Sequence, residues 1–148
     1  MNTYLAAVAA EAAGVSASDL QRYANQGHLT FQPCDGESRG SGDKRQYSTR
    51  RILQTAIIAE GKNIGISPKR AAKAALEFSD RGNSGRAVGE LFPLGRTVIL
   101  GLADGQSKVL NIPPDLTIAD VLSTDGAAFI IDCGSVVAKV TEKLSTLC

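Results

Sequence analysis

The sequence has few of the residues that mark disulfide-rich, metal-binding or catalytic proteins. Its 148 residues include no tryptophan, one histidine, three cysteines and only 5% aromatic residues. An odd cysteine count without a C-x-x-C spacing predicts neither a disulfide framework nor a zinc finger. His28 and Cys34 lie close together in the sequence, but two ligands do not make a structural zinc site. Since a Walker loop is also absent, we expect neither an enzyme nor a cofactor.

Long hydrophobic runs are absent as well. No apolar stretch approaches the roughly 20 residues that a membrane span needs. The N-terminus lacks the basic start and the cleavage site of a secretion signal. The content of 43% hydrophobic and 21% charged residues is typical of a folded chain rather than a disordered one. We therefore expect a cytoplasmic protein without a membrane partner.

The charged residues are unevenly distributed along the chain. Residues 1–86 hold 12 Lys/Arg and 8 Asp/Glu, whereas residues 87–148 hold 4 and 7. A basic first half and an acidic second half indicate two functions, one of them facing a polyanion. Chance drift of surface charge is the alternative explanation.

The first 26 residues predict two helices joined by a short turn. Tyr4–Ala13 is rich in alanine, and Gly14 ends it because glycine adopts positive φ without strain. Ser16 is a good N-cap for a second helix over about 17–26. This arrangement is typical of a helix-turn-helix, although an ordinary helical hairpin shares it.

A basic β-hairpin is predicted next. His28–Gln32 can form one strand, and Lys44–Tyr47 can form a second strand that returns beside it. Residues 33–43 are rich in Gly, Ser and Asp, which predicts a loop at the tip. Two further helices follow, with Ser48 and Ser67 as their expected N-caps.

Residues 86–148 predict a small α+β domain, which a linker separates from residues 1–80. Asp104-Gly105 between two apolar runs is a strong hairpin signal. A buried strand at Ala127–Ile131 and an amphipathic helix from about Ser135 complete this half. The expected fold class is therefore α+β: four helices with a β-hairpin wing, followed by the small domain.

The first half contains a spaced set of residues that matches a known family. In residues 4–29 the matching positions are Tyr4, Ala10, Gly14, Val15, Ser16, Leu20, Tyr23, Gly27 and Leu29. Further along, the matching residues are Lys44–Ser48 (KRQYS), Ile58, Gly65 and Ser67. Over about residues 4–78 the chain thus resembles the MerR-type winged helix-turn-helix regulators. It departs from them at Gln21, where that family often has arginine, and in the absence of a long dimerising helix.

The resemblance implies a sequence-specific DNA-binding transcriptional regulator. Its second helix would enter the major groove of double-stranded DNA, where Gln pairs with adenine and Arg with guanine. We expect a homodimer through the C-terminal domain, because such modules usually pair half-sites. The apolar C-terminal helix and the hairpin edge are the expected contact surfaces. The candidate DNA contacts are Ser16, Ser18, Gln21, Arg22, Tyr23, Arg39, Lys44, Arg45, Tyr47, Arg50 and Arg51.

Several of these residues have a second interpretation. Tyr23 contacts either phosphate or the core, and Tyr47 either packs the hairpin or also touches the DNA backbone. Arg50 and Arg51 in a first helical turn are unfavourable by about 0.3–1 kcal/mol each, unless an anion docks there. A salt bridge to Asp43 or Glu60 is the other explanation for the two arginines.

Two other functions fit the same pattern. An excisionase-like architectural protein would use a winged helix to bend DNA and would depend less on bases. A protein–protein interaction module would keep the fold without binding DNA. The target sequence, the sign of regulation and any effector lie beyond what the sequence predicts.

Overall fold

A computed structural model gives the fold of residues 2–32, 45–121 and 127–148. Within these residues the chain is mixed α and β, with six helices and two small antiparallel sheets. The elements are β1 (Thr3–Leu5), α1 (Ala6–Ala13), α2 (Ala17–Asn25), β2 (Gln46–Ser48), α3 (Thr49–Asn63), α4 (Pro68–Ser79), β3 (Arg96–Leu102), β4 (Ser107–Ile112), α5 (Ile118–Val121), β5 (Ala127–Asp132) and α6 (Cys133–Leu147).

The described chain begins with a strand, not with a helix. β1 pairs antiparallel with β2, with Tyr4 opposite Tyr47, and the Thr3 hydroxyl donates to Gln46 Oε1. This pairing satisfies backbone N–H and C=O groups of both short strands. Helix α1 starts only at Ala6, so the prediction of a helix from Tyr4 is wrong at its start.

Residues 28–32 form no strand, and the predicted pairing of His28–Gln32 with Lys44–Tyr47 is wrong. Side chains of α3 bond to this segment instead. Gln54 Nε2 donates to the His28 carbonyl at 3.3 Å, and Gln54 Oε1 accepts from the Thr30 amide at 3.3 Å. A buried glutamine thus satisfies backbone groups that a neighbouring strand would otherwise bind.

The helix boundaries set by local side chains are confirmed. Gly14 ends α1 in the left-handed conformation, with φ 76°. Each of the three expected N-caps accepts a hydrogen bond from the backbone N–H three residues later; these caps are Ser16, Ser48 and Ser67. Such caps satisfy donors that have no partner inside the helix. The turn between α1 and α2 is therefore the short one that the sequence predicts.

The second sheet has the strand order β4-β3-β5. Its β3–β4 hairpin turns at Asp104-Gly105, as predicted, and Gly105 has φ 90°. β5 pairs on the other side of β3, where the Phe129 ring packs against Gly101. A Cβ at Gly101 would lie 2.1 Å from a ring carbon of Phe129, so only glycine fits there.

Buried apolar residues from both halves of the chain form one continuous cluster. Helix α6 packs against α1 and α3, and Val136 and Val140 are buried in that contact. The apolar face of α6 therefore packs against other helices of the same chain. It is not available as the dimer contact that the sequence predicted. The division into domains 1–80 and 86–148 stays a prediction.

The predicted linker at residues 80–86 is exposed over residues 81–85 and ends at a buried arginine. Arg86 is buried, and its guanidinium lies within 3.2 Å of five backbone carbonyl oxygens, those of Glu77, Phe78, Arg81, Ala87 and Glu90. Desolvation by burial lowers the pKa of Arg86 from its ordinary value. The loop therefore folds around a single cation.

Candidate nucleic-acid interface

Helix α2 is anchored on one side and open on the other. Leu20 and Tyr23 are buried in the core and hold the helix in place. The residues that share its open side, spaced at i, i+1, i+4, i+5 and i+8, are all exposed: Ala17, Ser18, Gln21, Arg22 and Asn25. We call these five residues the α2 strip. Asn25 was not expected here, although its position four residues after Gln21 places it on the same face.

The start of α2 is held by its own side chains. Ser16 Oγ accepts from the Asp19 backbone N–H at 3.0 Å and lies 3.1 Å from Ser18 Oγ. Ser16 is therefore the N-cap of α2. Of the two serines, only Ser18 belongs to the α2 strip.

Arg22 lies on the strip but is not isolated. Its Nη2 atom is 2.8 Å from Asp19 Oδ1, and its guanidinium carbon is 5.6 Å from the centre of the Tyr23 ring. Tyr23 itself is buried and meets His28 edge-on, with ring centres 6.2 Å apart. Of the two roles left open for Tyr23, the structure favours the core.

The residues just before and within β2 lie beside an exposed aromatic ring. The guanidinium carbon of Arg45 is 4.9 Å from the centre of the Phe31 ring. Phe31 also contacts Tyr47, whose ring is buried and whose pKa is raised by that burial. Tyr47 therefore packs this segment together, and Phe31, which the sequence did not single out, supports Arg45.

Arg51 does not lie on the surface. Its side chain is fully buried, pairs with the Asp80 carboxylate, and donates to the Thr30 carbonyl and to Gln54 Oε1 at 2.7 Å. The prediction that Arg51 contacts DNA is therefore corrected, because a fully buried guanidinium cannot reach a phosphate group. Arg50 is half-buried, with its aliphatic stem beside Gly89.

Other predicted cations are distributed differently. Arg39 and Lys44 lie outside the described residues. Lys69 and Lys73 are exposed on α4 and form a solvated face. Arg70 is instead half-buried. Its Nη2 donates to the Leu102 carbonyl at 2.6 Å, and its guanidinium lies over the Phe129 ring. Arg70 thus joins α4 to the second sheet.

Residues 36–40 (GESRG) have the Gly-x-Ser-x-Gly spacing that surrounds the nucleophilic serine in some hydrolases, so this spacing bears on whether the protein is an enzyme. That pattern marks a nucleophile only at a sharp turn between a strand and a helix. The motif lies outside the described residues, and the described segment before it, 28–32, forms no strand. The pattern therefore carries no assignment here.

The described residues hold neither a candidate metal site nor a candidate membrane-spanning helix. Residues 2–32, 45–121 and 127–148 contain no group of three or more His, Cys, Asp or Glu that could hold a metal. None of the described helices is long and apolar enough to cross a bilayer.

No protein-family model matches the sequence, and no curated protein matches it.

Proposed function

We propose that this protein binds double-stranded DNA through helix α2 as a helix-turn-helix regulator of the MerR type. The α2 strip carries the proposal: five exposed positions, four of them polar, on a helix fastened by buried Leu20 and Tyr23. A rigid helix with an open polar face is what base recognition in the major groove requires.

Two features beside the strip support the proposal. Gly14 and the Ser16 cap make the tight turn that sets one helix against the next. Arg45 stands on the exposed Phe31 ring, which holds a cation at the edge of the same module. Arg45 and Arg50 are the described cations that we assign to phosphate, and Arg51 is left out because it is buried.

A regulator of this kind would act in the cytoplasm as a homodimer on paired half-sites. With α6 packed against α1 and α3, the edge of the second sheet is the one of the two predicted dimer contacts that remains. The half-sites would then repeat at about one helical turn of DNA or a multiple of it.

The proposal is tested by selecting bound duplexes from a random DNA pool with the full chain. We expect enrichment of one sequence, whose binding in fluorescence anisotropy is much tighter than that of a scrambled duplex and weakens with salt. Absence of binding to any duplex at low salt would overturn the proposal.

One observation favours a second function. Arg22 is the one cation in α2, and Asp19 neutralises it, so the helix presents little net positive charge to a polyanion. A module that binds another protein needs no such charge. The same selection separates the two functions, because a protein-binding module would enrich no DNA sequence.

A further inference from the structure

The ion pair on α2 has a fixed carboxylate and an accessible cation. Asp19 lies in the first turn of α2, where the Ser16 hydroxyl binds its backbone N–H. Its Oδ1 lies 2.8 Å from Arg22 Nη2 in an ion pair, and the Arg22 side chain is 49% exposed against 29% for Asp19. The carboxylate is thus the more buried, anchored partner, and the guanidinium is the group that a ligand would meet.

This geometry leaves Arg22 suited to one kind of contact. A guanidinium has five N–H donors, and Asp19 forms its ion pair at one of the three nitrogen atoms, Nη2. The remaining donors include a pair that fits the O6 and N7 atoms of guanine. Because Asp19 and the Tyr23 ring already order the side chain, less conformational entropy is lost when it binds. The same carboxylate repels phosphate, which weakens contacts of Arg22 with the DNA backbone.

We propose that Asp19 is a positioning residue that orients Arg22 toward a guanine in the major groove and suppresses phosphate binding by Arg22. The ligand is a duplex half-site with a G·C pair below Arg22. This inference rests on the proposed DNA-binding function and adds the base that the site selects.

The test compares Asp19→Asn with Glu11→Gln in the full chain. Each variant removes one carboxylate, and Glu11 is exposed on α1. Binding is measured by anisotropy for the selected duplex, for duplexes with each other base pair at the guanine, and for random duplex, over a range of salt. Arg22→Lys identifies the guanine, because lysine lacks the planar fork.

We expect Asp19→Asn to lose about tenfold of the preference for guanine. Its affinity for random duplex should rise, and the slope of log K against log salt should steepen by up to about 0.9, the value of one phosphate contact. Asp19→Glu should restore the preference, since glutamate at this position still reaches Arg22. Glu11→Gln should leave the preference unchanged.

Each result supports or overturns the inference. Equal effects of Asp19→Asn and Glu11→Gln on guanine preference would overturn it, because only net charge would then matter. An Arg22→Lys variant with unchanged base preference would overturn it too, while the binding of wild type would leave the proposed function standing. A wild type that binds no duplex overturns the proposed function first.

Discussion

Two Arg–Asp pairs in different regions of the molecule show how surroundings decide the role of the same residue types. The pair on α2, Arg22–Asp19, has side-chain exposures of 49% and 29%. The pair between α3 and the end of α4, Arg51–Asp80, has exposures of 0% and 8%. Only the first is in contact with water over much of its surface.

The difference in exposure decides whether an Arg–Asp pair is available to a ligand or stabilises the fold. An exposed pair contributes about 0–1 kcal/mol to folding, because water competes for both charges. A buried pair is expensive to disrupt, since removal of one partner leaves an uncompensated charge in the core. Arg22 is therefore available to a ligand, whereas Arg51 holds α3, α4 and the segment around Thr30 together.

The largest effect is expected from breaking the buried pair. Asp80→Ala leaves the Arg51 charge without its carboxylate, and we expect the free energy of unfolding to fall by about 3–5 kcal/mol. Asp19→Ala, the matched change in the exposed pair, should cost about 1 kcal/mol or less. Urea unfolding of both variants measures the two values, and similar losses would contradict the comparison.

A second effect should appear at alkaline pH and concerns Cys133 at the start of α6. Burial raises the pKa of the Cys133 thiol to about 12 from the ordinary 9. The folded state thus keeps a proton that the unfolded chain releases, so stability is retained below pH 9 and lost as the pH rises toward 12. The expected slope is about 1.4 kcal/mol per pH unit within that range.

Urea unfolding between pH 8 and pH 11 measures this slope. Cys133→Ala should flatten the curve, apart from a share from Tyr47, whose pKa burial also raises. Cys148→Ala changes an exposed cysteine and should leave the slope unaltered. A slope that survives in Cys133→Ala at full size would refute the assignment.

The variant Gln21→Ala tests whether the exposed face of α2 contacts bases. Gln21 lies on the α2 strip and makes no structural contact in the described hydrogen bonds, so folding should be unaffected. We expect a loss of about 1–3 kcal/mol in discrimination at one base pair. Anisotropy with single-base variants of the selected duplex measures it. Equal losses on selected and random DNA would show that Gln21 does not contact a base.

The smallest expected effect comes from Arg45→Ala. Removal of one phosphate contact should weaken binding to all duplexes alike and reduce the salt slope by about 0.9. Arg81→Ala, which removes an exposed cation after α4, serves as the control and should change neither quantity. A sequence-dependent loss in Arg45→Ala would assign this residue to bases instead.

Much of the local structure was predictable because its causes are local. Ser16, Ser48 and Ser67 cap the helices that follow them, and Asp104-Gly105 makes the predicted hairpin. In each case a side chain bonds to backbone within three residues, or a turn residue tolerates positive φ. Such effects depend little on the rest of the chain.

The candidate site was predicted only in part. Gln21, Arg22 and Ser18 lie on one open face, as the helical period implies. Phe31 was missed because its link to Arg45 joins residues 14 positions apart. The ion pair between Asp19 and Arg22 follows from helical spacing, but its consequence for Arg22 emerges only once the exposure of each side chain is known.

The sequence alone determined the three helix starts that serine caps, where the second hairpin turns and which residues of α2 share a face, because these depend on neighbours along the chain. The tertiary structure decided which cations reach solvent. Arg51 and Arg70 are of a residue type that is usually exposed, yet each bonds to a group from a distant segment of the chain. Burial of a charge depends on partners that only the folded chain brings together, and no local pattern records them.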